Sequence, residues 1–317
     1  MTDDTRQAVT VGLVQMTSGR DVASNTAAAT DLIRAAASRG ATYVQTPEVT
    51  NIMELERDRL LAACEPEETN SALAAFCDLA RACHVHLHIG SMAVKAAAGS
   101  DRLLNRSYVI APDGTIIGRY DKIHMFNVTL ADGEAYAESA NYDAGPSAVT
   151  VDLPWGRLGL TICYDVRFPY LHRALAKAGA IALASPAAFT HTTGKAHWHT
   201  LLQARAIETQ TFVLAAGQTG RHEHGRRTYG HSLVISPWGE IIAEADDQPG
   251  TVIAELDLSL VAKARARLLT TARKRSKGSI RARSNTKRRT ECRRILPIAR
   301  PLAKRTSFHH SAKSLAR

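Results

Sequence analysis

Hydrophobic and polar positions keep a steady rhythm over the first ninety residues and then change it. Residues 8 to 16, AVTVGLVQM, form a β-branched run that reads as a buried strand. Asn25 follows as the expected N-cap of an alanine-rich helix that runs to about Ser38 and is stopped by Gly40. A short strand, Ala41 to Gln45, exits at Pro47. A second helix, about Ser71 to Cys83, leads into a strand around Val85 to Gly90. Hairpins then take over: SYVIAPDGTIIGRYDK turns on Pro-Asp-Gly, and SAVTVDLPWGRLGLTIC turns on Pro-Trp-Gly. Beyond Cys163 a helix from about Tyr170 to Lys177 ends at Gly179, and the apolar strand AIALASP follows. A longer helix, about Ala196 to Thr209, precedes the strand TFVLAAG. The hairpin HSLVISPWGEIIAEA and the strand TVIAELDL complete the series. Two halves of alternating strands and helices, joined by hairpins, predict an α/β fold in which two sheets carry helices outside, a four-layer αββα sandwich formed by a single domain over residues 1–267. Residues 268–317 lack an amphipathic period and alternate Arg or Lys with Ser or Thr, so a disordered basic tail is expected there.

Charge sharpens that boundary. The net charge of +10 conceals two opposite regions: 19 of the 40 Lys and Arg, but one of the 30 Asp and Glu, lie from Lys263 onward. That segment therefore carries +18 and the preceding 262 residues carry −8. A mildly acidic body gives no general nucleic-acid surface. The tail alone could hold phosphates, non-specifically and with affinity falling steeply with salt, although Phe308 is its sole aromatic for stacking on bases. The 45% hydrophobic content supports a large core. Five cysteines, Cys64, Cys77, Cys83, Cys163 and Cys292, form no paired spacing, which fits a reducing compartment. The N-terminus, MTDDTRQ, resembles neither a signal nor a transit peptide. No apolar run approaches the roughly 20 residues of a membrane span. A soluble cytoplasmic protein is the expectation.

The candidate chemistry sits in LGLTICYDVRFPYL, residues 158 to 171. An apolar strand ends at Cys163, and a thiol at such an exit is where an α/β protein presents a nucleophile. Two other strand exits supply partners: Glu48 in YVQTPEVTN and Lys122 in IIGRYDKIHMF. Glu48 can accept the thiol proton, while Lys122 and the backbone N–H of Tyr164 can stabilise a tetrahedral oxyanion. Singly, each residue reads blandly, as a loop carboxylate, a surface lysine and a small buried hydrophobe, and Cys64, Cys77 and Cys83 keep that last reading. His84, His86 and His88 alternate along a strand and would share one face, read here as a polar strand face rather than a zinc site. His222 and His224 read as a solvated Arg-rich turn, and His197 and His199, flanking Trp198, as packing or pocket-lining groups. No Gly-rich phosphate loop and no GxSxG occur, so neither nucleotide binding nor serine hydrolysis has support. No metal or cofactor is expected.

TPEVTN, RYDKIHMF and CYDVRFP, in that order, resemble the three signature segments of the nitrilase superfamily of carbon–nitrogen hydrolases, and the resemblance spans roughly residues 8 to 265. It implies an αββα fold, no cofactor, a Glu-Lys-Cys triad of Glu48, Lys122 and Cys163, an assisting Glu138, and a homodimer or higher homo-oligomer. Tyr164 and Asp165 stand where true nitrilases carry Trp-Glu. GRH at 220 to 222 and YGHS at 229 to 232 are most similar to the Nit-type amidases of the deaminated-glutathione group, with ω-amidases as near cousins. The implied activity is hydrolysis of a small carboxylated amide through an acyl-thioester, with N-carbamoyl-amide and nitrile hydrolysis as alternatives. Arg167, Thr193 and His197 fall in pocket-shaping segments, and Arg167 could pair with a substrate carboxylate. Relatives close with Arg-x-Arg-Ile-Pro-x-Leu; KARAR at 263 to 267 starts that pattern and LLTTARKRSKGS leaves it, as a frame shift near codon 268 would produce.

Overall fold

In the computed structural model, residues 8–129 and 135–268 are described. The first strand, β1 (Ala8–Gln15), shows why the sequence folds in layers. Its pleat sends Val9, Val11 and Leu13 into one core and Val14 into another. Then follow α1 (Val22–Ser38), β2 (Tyr43–Gln45), a short α2 (Arg57–Ala63), α3 (Ser71–Cys83), β3 (His86–Lys95), β4 (Leu103–Ile110) and β5 (Ile116–Asp121). A small hairpin, β6 (Asn127–Thr129) with β7 (Ala135–Ala137), and the two-residue β8 (Tyr142–Asp143) lead to β9 (Val149–Leu153), β10 (Gly156–Leu160), α4 (Pro169–Lys177) and β11 (Ala182–Ala184). The chain continues through α5 (His191–Thr209), β12 (Phe212–Ala215), the hairpin β13 (Thr219–Arg221) and β14 (Arg227–Tyr229), then β15 (Leu233–Ile235), β16 (Ile241–Glu244), β17 (Gly250–Asp257) and α6 (Ser259–Arg267).

Two large sheets result, ordered β17-β1-β2-β3-β4-β5, with β8 on β4, and β16-β15-β12-β11-β10-β9. Each has three parallel central strands, β1-β2-β3 and β10-β11-β12, between antiparallel neighbours. Helices α1 and α3 cover the outer face of the first sheet, where Ile33, Ala36 and Phe76 join Val14, Val44 and Leu87 in one core. Between the sheets, Val11, Leu13 and Tyr43 meet Leu158 and Leu160, and that core extends to Leu175, Trp198 and Leu202 of α4 and α5. The order helix, sheet, sheet, helix is the four-layer sandwich that the pattern predicts. Gly12 permits the close seat of α1: a Cβ there would lie 2.9 Å from the Cβ of Ala36.

Several local expectations are corrected. Helix α1 begins one turn early, capped by Asp21, whose carboxylate accepts the Ser24 N–H at 2.7 Å. Asn25 is instead buried, its carboxamide pinning Gly19 and the Asn51 carbonyl. Helix α5 starts five residues before Ala196, because Gly194 lets its first turn pack directly on Tyr229. Helix α2 has no counterpart in the sequence reading. His84 is the left-handed C-cap of α3, so only His86 and His88 belong to the strand. Among the described residues no helix is long and apolar enough to cross a membrane. Of the expected tail only Leu268 is described, so the readings made for residues 269–317, Cys292 and Phe308 included, lie outside the described residues.

Candidate active site

The site is fed by one parallel strand of each sheet: Glu48 follows β2 and Cys163 follows β10. Beyond β2, Pro47 sets a stiff turn, and Gly90 of β3 lets it come close: a Cβ at Gly90 would sit 2.1 Å from the Thr46 carbonyl oxygen. Glu48 follows, almost fully buried. Its Oε2 accepts the Ala188 N–H at 2.8 Å, and its Oε1 accepts Lys122 Nζ at 2.8 Å and Asn105 Nδ2 at 3.0 Å. Lys122 leaves β5 with its own N–H bonded to the Asn105 carbonyl at 3.0 Å. Its ammonium also bonds both oxygens of Glu138, at 3.0 and 2.9 Å. Glu138 is fixed by the Phe126 N–H at 2.7 Å and by the same Asn105 amide at 3.0 Å. One ammonium and one carboxamide thus hold two carboxylates.

Cys163 opens a 3₁₀ turn, Cys163–Arg167, with a left-handed φ of 48°, unusual for a residue with a side chain. Its N–H donates to the Pro186 carbonyl at 2.8 Å, and its thiol lines one cavity with Glu48 and Lys122. The turn's first N–H groups, including that of Tyr164, have no acceptor within the turn itself. Asp165, wholly buried, ties this turn to the lysine segment: it accepts Tyr120 Oη at 2.6 Å, the Ile162 N–H at 2.9 Å and both the N–H and Nδ1 of His124 at 3.1 and 2.7 Å.

Electrostatics assign the resting protons. Burial pushes the Glu48 carboxyl up, but the Lys122 charge and hydrogen bonds from Lys122, Cys163 and Ala188 more than reverse it, so Glu48 stays ionised. Burial works against the Lys122 charge too, yet Glu138 and Glu48 together hold its ammonium well above the ordinary lysine value. Burial, then the Glu48 charge, drives the Cys163 thiol well above its usual value, Lys122 opposing only in part. The resting centre holds a thiol beside a carboxylate.

A cavity of about 340 Å³ opens over this group, lined by Glu48, Lys122, Glu138 and Cys163 with Tyr164 and Thr193. Phe126, Tyr136, Phe189 and Ile52 give it apolar walls. Thr193 shares a 2.7 Å hydrogen bond with Thr190. Arg167 and His197 are not part of the lining: they face each other at 3.3 Å, with the guanidinium over the rings of Phe189 and Tyr164. The arginine that does line the cavity is Arg226, from the turn before β14. It donates to the Ala188 carbonyl and lies 5.0 Å from the Tyr136 ring centroid, and its Nε is buried with no hydrogen-bond partner among the described residues. Asn105 and Arg226 were not singled out in the sequence: Asn105 precedes the strand read from Ser107 onward, and Arg226 falls in the Arg-rich turn read as solvated. His222 of that turn is buried rather than solvated, bonded to the Ser18 carbonyl at 2.8 Å and Thr228 Oγ1 at 2.8 Å. His88 lies buried between Tyr43 Oη at 2.7 Å and Ser107 Oγ at 2.6 Å, a polar strand interior.

Two sheets in this order and a buried cysteine, carboxylate and lysine at their ends are features of a carbon–nitrogen hydrolase, and the chain belongs to that family, whose profile matches residues 10–266. It is a hydrolase of linear amides within the nitrilase superfamily. Over 252 residues it is 40% identical to the deaminated glutathione amidase of Synechocystis sp., covering 77% of this chain and 90% of that protein. The human deaminated glutathione amidase is 36% identical over 261 residues, 81% of this chain and 80% of the relative. Among solved structures, the Caenorhabditis elegans NitFhit protein is similar with a TM-score of 0.77 at 36% identity, covering 84% of this chain and 65% of that one. Saccharomyces cerevisiae Nit3, a member of branch 10 of the superfamily, gives 0.76 at 29% identity, over 85% and 97%.

Proposed function

We propose that the enzyme cleaves its amide through a thioester on Cys163. The sulfur attacks the carbonyl carbon as its proton passes to Glu48, and Lys122 Nζ and the Tyr164 N–H stabilise the oxyanion. Collapse breaks the C–N bond, and Glu48 returns the proton to the departing nitrogen. Water then attacks the thioester, losing its proton to Glu48; the sulfur leaves, recovers that proton, and the acid is released. Glu138 holds the ammonium charged and positioned. The observation that carries this reading is a single buried carboxylate, Glu48, bonded at 2.8 Å to Lys122 and lining one cavity with the Cys163 thiol, whose proton burial and the Glu48 charge hold in place.

The substrate we infer is a small amide bearing a carboxylate, of the deaminated-glutathione or α-ketoglutaramate type. Arg226 supports it, as a cavity-lining guanidinium with an unused buried Nε; Thr193 adds a hydroxyl. Arg167 and His197 act in this reading from behind Tyr164 and Phe189. A panel of deaminated glutathione, α-ketoglutaramate, carbamoyl amino acids and simple nitriles tests the class: the first two are expected to turn over fastest. Cys163→Ala should abolish turnover without unfolding, and Glu48→Gln should abolish it with no acyl adduct seen by intact mass, because the same base serves the first step. Turnover retained in Cys163→Ala removes the thioester route.

A reducing, cytoplasmic location and a homodimer complete the proposal. Free Cys64, Cys77 and Cys83 support the first. Exposed Tyr170 on α4, Ile207 on α5 and Trp238 before β16 offer apolar surface for the second, which light scattering of the full chain would test.

A further inference from the structure

Outside the catalytic cavity, three side chains from separate elements converge at the edge of the second sheet. His199 comes from α5, His231 from the turn between β14 and β15, and Glu244 from the edge strand β16. Glu244 Oε1 lies 2.9 Å from His199 Nε2 and 2.9 Å from His231 Nδ1, and the three potential donor atoms all fall within 4.8 Å of one another. None of the three lines the cavity.

The arrangement is built from outside itself. His231 is held in the left-handed region, at φ 52°, an uncommon conformation for a residue with a side chain. Trp198 Nε1 anchors its carbonyl at 2.8 Å. The Tyr229 ring stacks on its imidazole at 4.4 Å and meets His199 edge-on at 6.0 Å. Side-chain exposures of 29%, 28% and 34% leave all three reachable by an ion from solvent.

We propose that His199, His231 and Glu244 form a binding site for a divalent transition-metal ion of the zinc type. Two imidazoles and one carboxylate, without a thiolate, are a donor set that zinc accepts, and a water completes four-fold coordination. Each imidazole binds neutral, with its proton on the ring nitrogen that faces away from the ion, so the two hydrogen bonds to Glu244 are exchanged for metal bonds. Occupancy would tie α5, whose first turn carries Thr193, to β16 and to the turn that follows β14, the strand that begins just after Arg226. The expected role is a brace for one wall of the substrate cavity.

The test uses the full chain, stripped of metal and dialysed against zinc chloride, with bound zinc measured by elemental analysis and thermal midpoint recorded in parallel. One equivalent of zinc and a raised midpoint are expected. His199→Gln and Glu244→Gln should each weaken binding by at least about 10-fold, the loss usual even for a residue that only supports a ligand. Both variants should keep metal-free amide turnover, which certifies their fold. Cobalt(II) should give visible absorption bands without thiolate charge transfer. Cys163→Ser and the double variant His309→Ala/His310→Ala should retain the equivalent. Zinc binding unchanged in His199→Gln and Glu244→Gln, or lost in Cys163→Ser or the tail variant, overturns the proposal, as does no binding at all.

Discussion

Tyr120 and Asp165 are joined by a 2.6 Å hydrogen bond from phenol to carboxylate, two residues before Lys122 and two residues after Cys163. The strand that delivers the ammonium and the turn that delivers the thiol are therefore held by one buried contact. Tyr120→Phe leaves Asp165 with its three remaining donors, Ile162 N–H and the N–H and Nδ1 of His124. Losing a hydrogen bond to a charged group removes about 1.5–3 kcal/mol. Urea unfolding should show that loss, and kcat should fall more than KM rises, since the bond sets the geometry of reacting groups and touches no substrate. A drop in stability with kcat untouched would limit Asp165 to a folding role.

Asn105 offers a second handle on the same geometry. Its amide bridges Glu48 and Glu138 at 3.0 Å each. Asn105→Asp would put a third carboxylate among two, and Asn105→Leu would remove the bridge while keeping the volume. Two charge-assisted bonds are at stake, so a kcat loss of about 10-fold or more is expected in the leucine variant and a larger one in the aspartate. Steady-state kinetics on one amide, with circular dichroism to certify the fold, decides the matter.

The layered fold was legible because each buried strand and each hairpin turn announces itself locally: the β-branched run AVTVGLVQM is a largely buried strand in the structure, and α3 occupies Ser71–Cys83, both as expected. Helix starts were less legible, since Asp21 and Asn25 are both good caps and only the tertiary seat of Asn25 against Gly19 and Asn51 decides between them. Glu48, Lys122 and Cys163 could be named as strand-exit residues. Asn105 could not, as it sits mid-strand and acquires meaning only when the fold brings its amide to Glu48 beyond β2 and its carbonyl to Lys122 beyond β5. Arg226 was hidden likewise: an Arg-rich turn reads as solvated until His222 beneath it is seen buried. His199, His231 and Glu244 are separated by up to 45 residues and share no sequence spacing that would announce a cluster.

Arg226 should govern recognition rather than chemistry. Arg226→Met is expected to raise KM for a carboxylated amide by about 10–100-fold, in line with 1.5–3 kcal/mol for a charge-assisted contact, and to alter kcat much less. A neutral amide of the same size should show little change. Arg226→Lys should recover only part of the loss, because a point charge lacks the guanidinium fork. Equal losses on charged and neutral amides would assign Arg226 to packing.

Buried neutral histidines set the acid side of stability. His88 is pushed down to about 3, and His172 and His222 to about 4, each chiefly by burial. Below the ordinary value of 6.5 the unfolded chain binds protons at these positions and the folded chain does not. Stability should therefore fall as pH drops from 6.5 towards 4, by on the order of 1 kcal/mol per pH unit for each histidine. Thermal midpoints of His88→Gln measured across that window should fall less steeply than those of the parent chain, whatever the variant's absolute stability.

The activity profile should look different from the stability profile, because it follows Glu48, Cys163 and Lys122 rather than the buried histidines. In the proposed mechanism Glu48 is the ionised base, and its pKa is held below the ordinary 4.5. The acid limb of kcat/KM should accordingly lie below pH 4.5, and stopped-flow jumps from neutral pH are needed to record it before the chain unfolds. On the alkaline side, Cys163 and Lys122 both titrate well above their usual values, the thiol through burial and the Glu48 charge, the ammonium through Glu138 and Glu48 overcoming burial. Neither group should produce a falling limb near neutrality, and the rate should stay flat across that range. A resting pair of thiolate and protonated Glu48 would behave otherwise, with an acid limb centred close to neutral pH. Finding that limb in pH-jump data would reverse the proton assignment and make sulfur, not carboxylate, the charged partner of Lys122 before substrate arrives.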